Sequence, residues 1–361
     1  MAALTNPSPS FWRGKRVLVT GHTGFKGGWL CHWLLRLGAS VSGLALAPDT
    51  EPCLFRQSRL AERLDSHLLD IREPEATRAG VRRAKPDIIL HLAAQSLVRR
   101  GYEDPAGTYA TNVMGTVHLL EACRQAAAPR VFVTVTSDKC YLNREAGAPF
   151  RESDPLGGVD PYSSSKAGAE LATAAYRHSF FAAGSPPMGL ASVRAGNVIG
   201  GGDWASDRLL PDCARAFAAG RPVALRHPHA VRPWQHVLEP LAGYLRLAEL
   251  LWTDTSFAEA WNFGPPERDA STVSDVVDAV ARLWGGAPGW TAQPGDHPHE
   301  AMQLRLDSAK AQARLGWAPR LPLEQALAWT VEWYRRAEAG EPARTLVDTQ
   351  IAAYEARAGH A

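Results

Sequence analysis

The stretch that most limits the folds open to this chain of 361 residues runs from Arg16 to Leu37. Arg16-Val-Leu-Val-Thr20 has the composition of a short buried strand. It leads into Gly21-His22-Thr23-Gly24-Phe25-Lys26-Gly27, followed by Trp29, Leu30, Trp33, Leu34 and Leu37 in a helical pattern. Glycines spaced Gly-x-x-Gly-x-x-Gly mean little alone. Between a strand and a helix they permit a tight turn and let the backbone approach a pyrophosphate, because free N–H groups and the helix dipole favour anions there. Gly21, Thr23, Gly24, Phe25, Lys26 and Gly27 are therefore candidate cofactor-binding residues.

The same alternation continues. Strands are expected at 40–46, 67–70, 87–95 and from 131, with helices at 73–84 and about 104–128 between them. Strand and helix in turn, with short connections, predict an α/β fold: a Rossmann-type doubly wound parallel sheet. The second strand ends Gly43-Leu-Ala-Leu-Ala-Pro48, without the carboxylate that usually holds the ribose of NAD and without an arginine placed for a 2′-phosphate. NAD and NADP stay undecided on these residues. Asp70 and Ile71 fall at the third strand's end, where an adenine is met. Leu92, Ala93, Ala94 and Gln95 end the fourth, where small side chains let a cofactor lie close or simply pack; Asn112, on the long helix that follows, joins the cofactor-binding candidates.

Val131 to Tyr141 reads Val-Phe-Val-Thr-Val-Thr-Ser-Asp-Lys-Cys-Tyr, a strand buried on both faces that ends in a hydroxyl, a carboxylate and an amine. Ligands bind at that edge of an open α/β sheet. Further on, Tyr162 and Lys166 stand four apart at the start of a helix to about 181 and share one face. A tyrosine beside a nicotinamide takes the proton of a substrate alcohol as hydride leaves, for which its pKa near 10 must fall by about three units, about 4 kcal/mol. Lys166 supplies favourable charge, and Ser137 hydrogen-bonds the same oxygen. These three suffice for reversible oxidation of one hydroxyl, leaving Asp138 and Lys139 over. Either those two form a structural ion pair, or they are a second proton-transfer pair. In a sugar oxidised at C4 the C5 hydrogen is acidic and the C6 hydroxyl is a β-leaving group. Protonated Asp138 then serves C6 and neutral Lys139 serves C5.

Composition sets the surroundings. Hydrophobic residues make up 45% and charged residues 21%, and the net charge of +2 gives no reason to expect nucleic acid or an anionic membrane as partner. No apolar run is long enough to span a membrane and no secretory signal is visible, so a cytoplasmic protein is expected. The five cysteines, scattered and odd in number, read as free thiols; they have no metal-ligand spacing, and no metal is expected. Beyond a sixth strand at 190–194 the pattern shortens into pieces: helices at 208–219, 273–284, 308–315 and 323–336 and a strand at 222–225. The organisation expected is a loose tail over 1–12, with Phe11 and Trp12 as anchors, and a dinucleotide-binding domain over 13–194, with returning strands possible after 230. A smaller interleaved substrate domain over 195–340 and a C-terminal tail over 341–361 complete it. Of the tryptophans in the smaller part, only Trp204 and Trp234 are kept as candidates for stacking on substrate.

The glycine loop with Ser137, Tyr162 and Lys166 resembles the extended short-chain dehydrogenase/reductase family of sugar-nucleotide enzymes. Four stretches resemble its CDP-glucose 4,6-dehydratase branch more closely: Gly-His-Thr-Gly-Phe-Lys at 21–26, Thr-Ser-Asp-Lys-Cys-Tyr at 136–141, Val-Arg-Ala-Gly-Asn-Val-Ile-Gly-Gly-Gly-Asp-Trp at 193–204, and Arg-Pro-Trp-Gln-His-Val-Leu-Glu-Pro at 232–240. The resemblance implies a lyase that binds NAD and releases water from CDP-glucose. It implies Tyr162 as the base at C4, Lys166 as its partner, Ser137 as an aid and Asp138 as the acid at C6, with Lys139 where related dehydratases carry glutamate. It also implies that Asn197, Arg208 and Arg232 hold the substrate's phosphates or sugar. Asp203, Trp204, Trp234 and His299 complete the candidate substrate-binding set. A homodimer or homotetramer packed through the helices at about 104–128 and 161–181 is expected from relatives. The rivals are another nucleotide-sugar 4,6-dehydratase, a 4-epimerase, which needs only Ser137, Tyr162 and Lys166, and a catalytically inactive NAD-sensing regulator.

Overall fold

The structure, a computed structural model, describes residues 6–125, 129–144, 147–183, 187–293, 295 and 304–357. Its centre is a sheet of seven strands: β1 (Arg16–Thr20), β2 (Ser40–Ala45), β3 (Asp65–Leu68), β4 (Ile88–His91), β5 (Val131–Val135), β6 (Gly189–Ala195) and β7 (Ala260–Phe263). All pairings are parallel, in the order β7-β6-β5-β4-β1-β2-β3. The order reverses between β1 and β4, which opens a crevice at the carboxyl ends of the strands. β4, β5 and β6 are buried along their whole length, as strands covered on both faces are, even where β4 ends in His91 and β6 carries Ser192 and Arg194. Their register aligns Ile88 with Val131 and Val131 with Gly189, so the segments leaving these strands emerge side by side.

Helix α1 (Phe25–Arg36) follows β1, α2 (Pro74–Ala84) follows β3, and α3 (Gly115–Gln125) follows β4. The single helix expected over 104–128 is instead Pro105–Tyr109, a wider π turn over Ala110–Met114, and α3, with 126–128 outside the described residues. Such π turns recur at functional sites, and this one carries Asn112. Helix α4 (Pro161–Tyr176) starts sharply: Asp160 caps it by accepting from the Ser163 amide at 2.9 Å, with Pro161 in the first turn.

Beyond β6 the chain alternates between the two parts. Helix α5 (Leu209–Ala218), the strand Val223–Leu225 paired with Trp290–Ala292, and α7 (Val273–Trp284) belong to a small apolar cluster of their own. Between them α6 (Leu238–Thr253) and β7 return to the large sheet, the return allowed for after residue 230. Helix α8 (Leu323–Glu338) contacts both clusters. The ends depart from expectation. Pro9–Trp12 is a helical turn with Trp12 fully buried, its indole donating to Glu249 at 2.8 Å. Where a tail was expected over 341–361, the described residues form α9 (Ala343–Ala356), which buries Leu346, Val347, Ile351 and Tyr354 in the main core; 358–361 lie outside the described residues. These apolar residues recur at the spacing of one helix face, which is the physical reason the segment docks.

Candidate active site

One cavity of about 710 Å³ runs along the carboxyl edge of the sheet. Its wall includes Asp70 and Ile71 at one end, then Leu92, Ala93, Ala94 and Gln95, the loop residues Gly21, Thr23, Gly24, Phe25, Lys26 and Gly27, and finally Ser137, Asp138, Lys139, Tyr162 and Lys166. Asn197, Asp203, Trp204, Arg208, Arg232 and Trp234 line it from the other side. His299 lies outside the described residues. Asn112 stands one layer behind the wall: its side chain accepts from the Gln95 amide at 2.8 Å and donates to the Gln95 carbonyl at 3.0 Å and to Ser165 at 2.8 Å. It braces the end of β4 against α4.

The glycine loop fits a dinucleotide. Gly21 has φ +76°, which a side chain disfavours, and a Cβ on Gly27 would lie 2.1 Å from the Gly21 carbonyl oxygen. Gly24 caps α1 without a side-chain acceptor, which leaves the first N–H groups of the helix available to an anion. Beyond β2 the wall is Leu46, Ala47, Pro48 and Asp49, and Asp49 pairs with Arg100 at 3.7 Å.

At the inner end the strand β5 stops at Val135 and a short 3-10 turn, Asp138–Cys140, presents its side chains. Ser137 donates to Asp138 Oδ1 at 3.0 Å and accepts from the Lys139 amide at 3.2 Å. Lys166 Nζ donates to the Val135 carbonyl at 3.3 Å. Asp138 is 3% exposed. Burial raises its pKa against the pull of Lys139, the Ser137 hydrogen bond, Arg232 and Lys26. Burial likewise brings Lys166 down to about 8 and Lys26 to about 7, the latter helped by the charges of Arg208 and Lys166. In the chain itself, without the nicotinamide, Tyr162 is raised. Burial pushes it up to about 12, with the Asp138 charge adding to the rise and the nearby Ser137 hydroxyl and Arg208 charge opposing it. Arg208 pairs with Asp203 at 2.9 Å and donates to Ser96 at 2.9 Å, linking the two sides of the cavity.

A buried network holds these pieces from behind. Glu170, on the same face of α4 as Tyr162 and Lys166, accepts from Thr136 Oγ1 at 2.5 Å, Ser192 Oγ at 2.7 Å, and Arg194 Nε and Nη2 at 2.9 and 2.8 Å. Arg194 donates onward to the Tyr141 hydroxyl at 2.7 Å. Sequence reasoning missed this pair, although the spacing of 162, 166 and 170 was there to be read. It also passed over Arg226 and Asp207, which line the cavity and pair at 3.0 Å.

Residues 18–245 match the sequence profile described as GDP-mannose 4,6 dehydratase. The chain belongs to that family. It is 52% identical over 336 residues to a CDP-glucose 4,6-dehydratase of Salmonella typhimurium, covering 92% of this chain and 94% of that protein. It is 29% identical over 353 residues to a dTDP-glucose 4,6-dehydratase of Mycolicibacterium smegmatis, covering 95% and 99%. Among solved structures, a UDP-glucose 4-epimerase of Thermus thermophilus in complex with NAD superposes with a TM-score of 0.76 at 26% identity, covering 89% of this chain and 99% of that one. Within the family the seven-stranded sheet and its cavity therefore belong to a frame that serves both dehydratases and epimerases. Among the described residues no cluster of three or more His, Cys, Asp or Glu side chains is placed to hold a metal.

Proposed function

We propose that this chain is a carbon–oxygen lyase that converts CDP-D-glucose to CDP-4-keto-6-deoxy-D-glucose and water, with NAD as a recycled cofactor. The observation that carries the reading is the placement of two proton-transfer sets in one cavity: Ser137, Tyr162 and Lys166 beside Asp138 and Lys139. The first set alone suits an epimerase. A buried carboxyl held toward its protonated form by burial is what departure of a C6 hydroxyl needs in addition. The 52% identity to a CDP-glucose 4,6-dehydratase supports the choice of substrate.

The glycine loop, Asp70, Ile71 and residues 92–95 would hold the cofactor, which takes a hydride from C4 and returns it to C6 when bound. The rest is work for the chain. Tyr162, with Ser137 beside it and Lys166 beneath, receives the C4 hydroxyl. Lys139 takes and returns the C5 proton, and Asp138 protonates the C6 oxygen. Arg208, Arg232 and Asn197 face the phosphates and sugar, with Asp203 setting Arg208 through its ion pair. Trp204 and Trp234 offer indole faces to the nucleotide sugar.

Residues 13–194 with α6 and β7 make the cofactor half, and the small cluster around α5 and α7 the substrate half. A homo-oligomer is supported by apolar side chains left exposed on the two expected helices: Tyr109, Met114, Leu171 and Phe180. All five cysteines are free and buried, and no helix among the described residues is long and apolar enough to cross a membrane; the free thiols suit a reducing cytoplasm.

Incubation with CDP-glucose and NAD in heavy water, without added reductant, tests the reaction. A 4-keto-6-deoxy sugar with solvent deuterium at C5 and the C4 hydrogen at C6 is the expected product. An intact C6 hydroxyl with inverted C4 selects the epimerase, and NAD binding without turnover selects the regulator.

A further inference from the structure

If the substrate is the cytidine nucleotide sugar proposed above, the cavity must receive a diphosphate and a base as well as a sugar. Contacts order its wall. A Cβ on Gly196 would lie 2.7 Å from Pro233 Cγ and 2.9 Å from Asp138 Oδ2, so the strand Val231–Pro233, with Arg232, adjoins the reacting end. Arg208 pairs with Asp203 and donates to Ser96, each at 2.9 Å. These are the two arginines assigned to the phosphates and sugar. Arg226 stands apart from them, just past the strand Val223–Leu225 of the small cluster, and its side chain pairs with Asp207 rather than with a reacting group.

Two observations set this end of the cavity apart from a phosphate site. The first is its charge. Asp207 Oδ1 accepts from Arg226 Nη1 at 3.0 Å and from Arg99 Nη1, on the helix Val98–Glu103, at 2.9 Å. Asp212, paired with Arg215 at 2.6 Å, also lines the cavity within range of the Arg226 charge. Two carboxylates beside Arg226 repel a diphosphate. The second is apolar. Leu209 and Leu225, close in sequence to Asp207 and Arg226, line the cavity and pack in the small cluster. A flat uncharged ring with a polar edge suits apolar side chains next to a donor–acceptor pair.

The pair has groups to spare. Among the described residues Asp207 Oδ2 has no partner, and neither do Arg226 Nε and Nη2. A carboxylate oxygen only accepts and a guanidinium only donates, so the pair offers one acceptor next to donors. Cytosine carries the complement in the same order: the N4 amino group donates, and N3 and O2 accept. Uracil and thymine carry O4 and N3–H at the first two places, which sets acceptor against acceptor and donor against donor.

We propose that Asp207 and Arg226 read the base of the nucleotide sugar, the carboxylate accepting from the N4 amino group of cytosine and the guanidinium donating to N3 and O2. The ion pair suits a neutral ligand: the Arg226 side chain, 22% exposed, keeps its counter-charge when the base arrives. Arg99 occupies the other carboxylate oxygen and takes no part in the reading. Arg208 directly follows Asp207, so the residues that read the base and hold the phosphates are neighbours in the chain.

Calorimetric titration of the protein with NAD present, by CDP and separately by UDP, tests the reading without turnover. In the parent, CDP binds about 10- to 100-fold more tightly than UDP. Asp207→Asn presents an amide that can donate to O4. CDP affinity falls, UDP affinity rises, and the preference drops by about 10-fold or more. A gain for UDP cannot come from a misfolded chain. Arg226→Lys keeps the charge but loses the fork, and weakens CDP by about 10-fold. Arg99→Met leaves the CDP-to-UDP ratio within about twofold of the parent, since Arg226 still holds Oδ1. Equal losses for CDP and UDP in Asp207→Asn, or the same collapse of preference in Arg99→Met, assign the three residues to joining the two sides of the cavity and overturn the reading. A parent that binds CDP and UDP alike also overturns it. A parent that makes no 4-keto sugar from CDP-glucose, but whose CDP preference is lost in Asp207→Asn, overturns the dehydration reading and upholds the base reading.

Discussion

Replacing Glu170 with glutamine perturbs the frame behind the site without touching the cavity. Glu170 and Arg194 are each 3% exposed, and the carboxylate takes two hydrogen bonds on each oxygen. Thr136 directly precedes Ser137, and Tyr141, bonded to Arg194 at 2.7 Å, directly follows Cys140. The ion pair thus holds both ends of the segment that carries Ser137, Asp138 and Lys139, and it sits on the helix face that carries Tyr162 and Lys166. Glutamine keeps the shape, leaves a buried guanidinium without its carboxylate, and turns an amide donor toward other donors. Removing one member of such a pair costs about 3–5 kcal/mol, a large share of a total stability of about 5–15 kcal/mol. Urea unfolding followed by tryptophan fluorescence reads that loss directly. Activity falls too, by about 100-fold in kcat for a displacement of about 1 Å at the reacting groups. The double variant Glu170→Met with Arg194→Met separates the two effects. An apolar pair of similar volume restores much of the stability but cannot hold Thr136 and Tyr141, so kcat stays low. Recovery of kcat in the double variant, or a loss in Glu170→Gln below about 1 kcal/mol, refutes the positioning role. The pH dependence has a definite sign. Burial raises the Glu170 pKa, but Arg194, Thr136 and Ser192 hold it below the ordinary glutamate value; its contribution is therefore present above that value and lost as pH falls through the lowered one.

Other substitutions probe the cavity and the core. Gly196→Ala places a Cβ 2.7 Å from Pro233 Cγ and 2.9 Å from Asp138 Oδ2, so dehydration should fail while NAD binding by fluorescence titration is retained. Gly27→Ala does the reverse: its Cβ meets the Gly21 oxygen at 2.1 Å, and the NAD titration should show affinity lost in a chain that still unfolds cooperatively. Glu239, buried and accepting from the Tyr354 hydroxyl and the Arg320 and Leu321 amides, is raised by burial to about 7. Its contribution is full below the unfolded value and lost as pH rises through about 7, so about 1 kcal/mol should disappear between about pH 6 and about pH 8. Glu239→Gln should flatten that part of the unfolding profile. Leu171→Asp, at an exposed apolar position on α4, tests the proposed homo-oligomer: sedimentation should move toward monomer mass, and an unchanged profile counts against that interface.

What the sequence made legible were the features carried by local pattern. Strand, glycine loop and helix at 16–37 could be placed because each depends on neighbours within a few residues. The turn after β5 could be read because an apolar run that ends in three reactive residues has few other uses. What stayed hidden depends on contacts far apart in the chain. Nothing near Glu170 announces Arg194, and nothing near 343–356 announces that Tyr354 reaches Glu239. The break in the helix at Ala110–Met114 was hidden too, since a π turn needs no special residue, only a neighbour such as Gln95 to hold. How deeply the Tyr162 ring is buried, which raises its pKa in the chain itself, is likewise not shown by spacing.

The cations around Asp138 tie its acid strength to substrate binding. Arg232 is one of the charges that pull the Asp138 pKa down, and it is also proposed to face the substrate's phosphates. A diphosphate bound to Arg232 brings negative charge toward the carboxyl and cancels much of the arginine's influence, while the sugar removes what water remains. Both changes favour the protonated acid. Before substrate arrives, Lys139, Arg232 and Lys26 favour the carboxylate against burial. Once the phosphates are held, the balance moves toward the form that gives a proton to C6. An acid that must donate a proton in each turnover and regain one before the next needs a pKa between these two demands. Full burial opposed by several cations supplies it, and a surface carboxylate would have neither influence strongly enough to be useful.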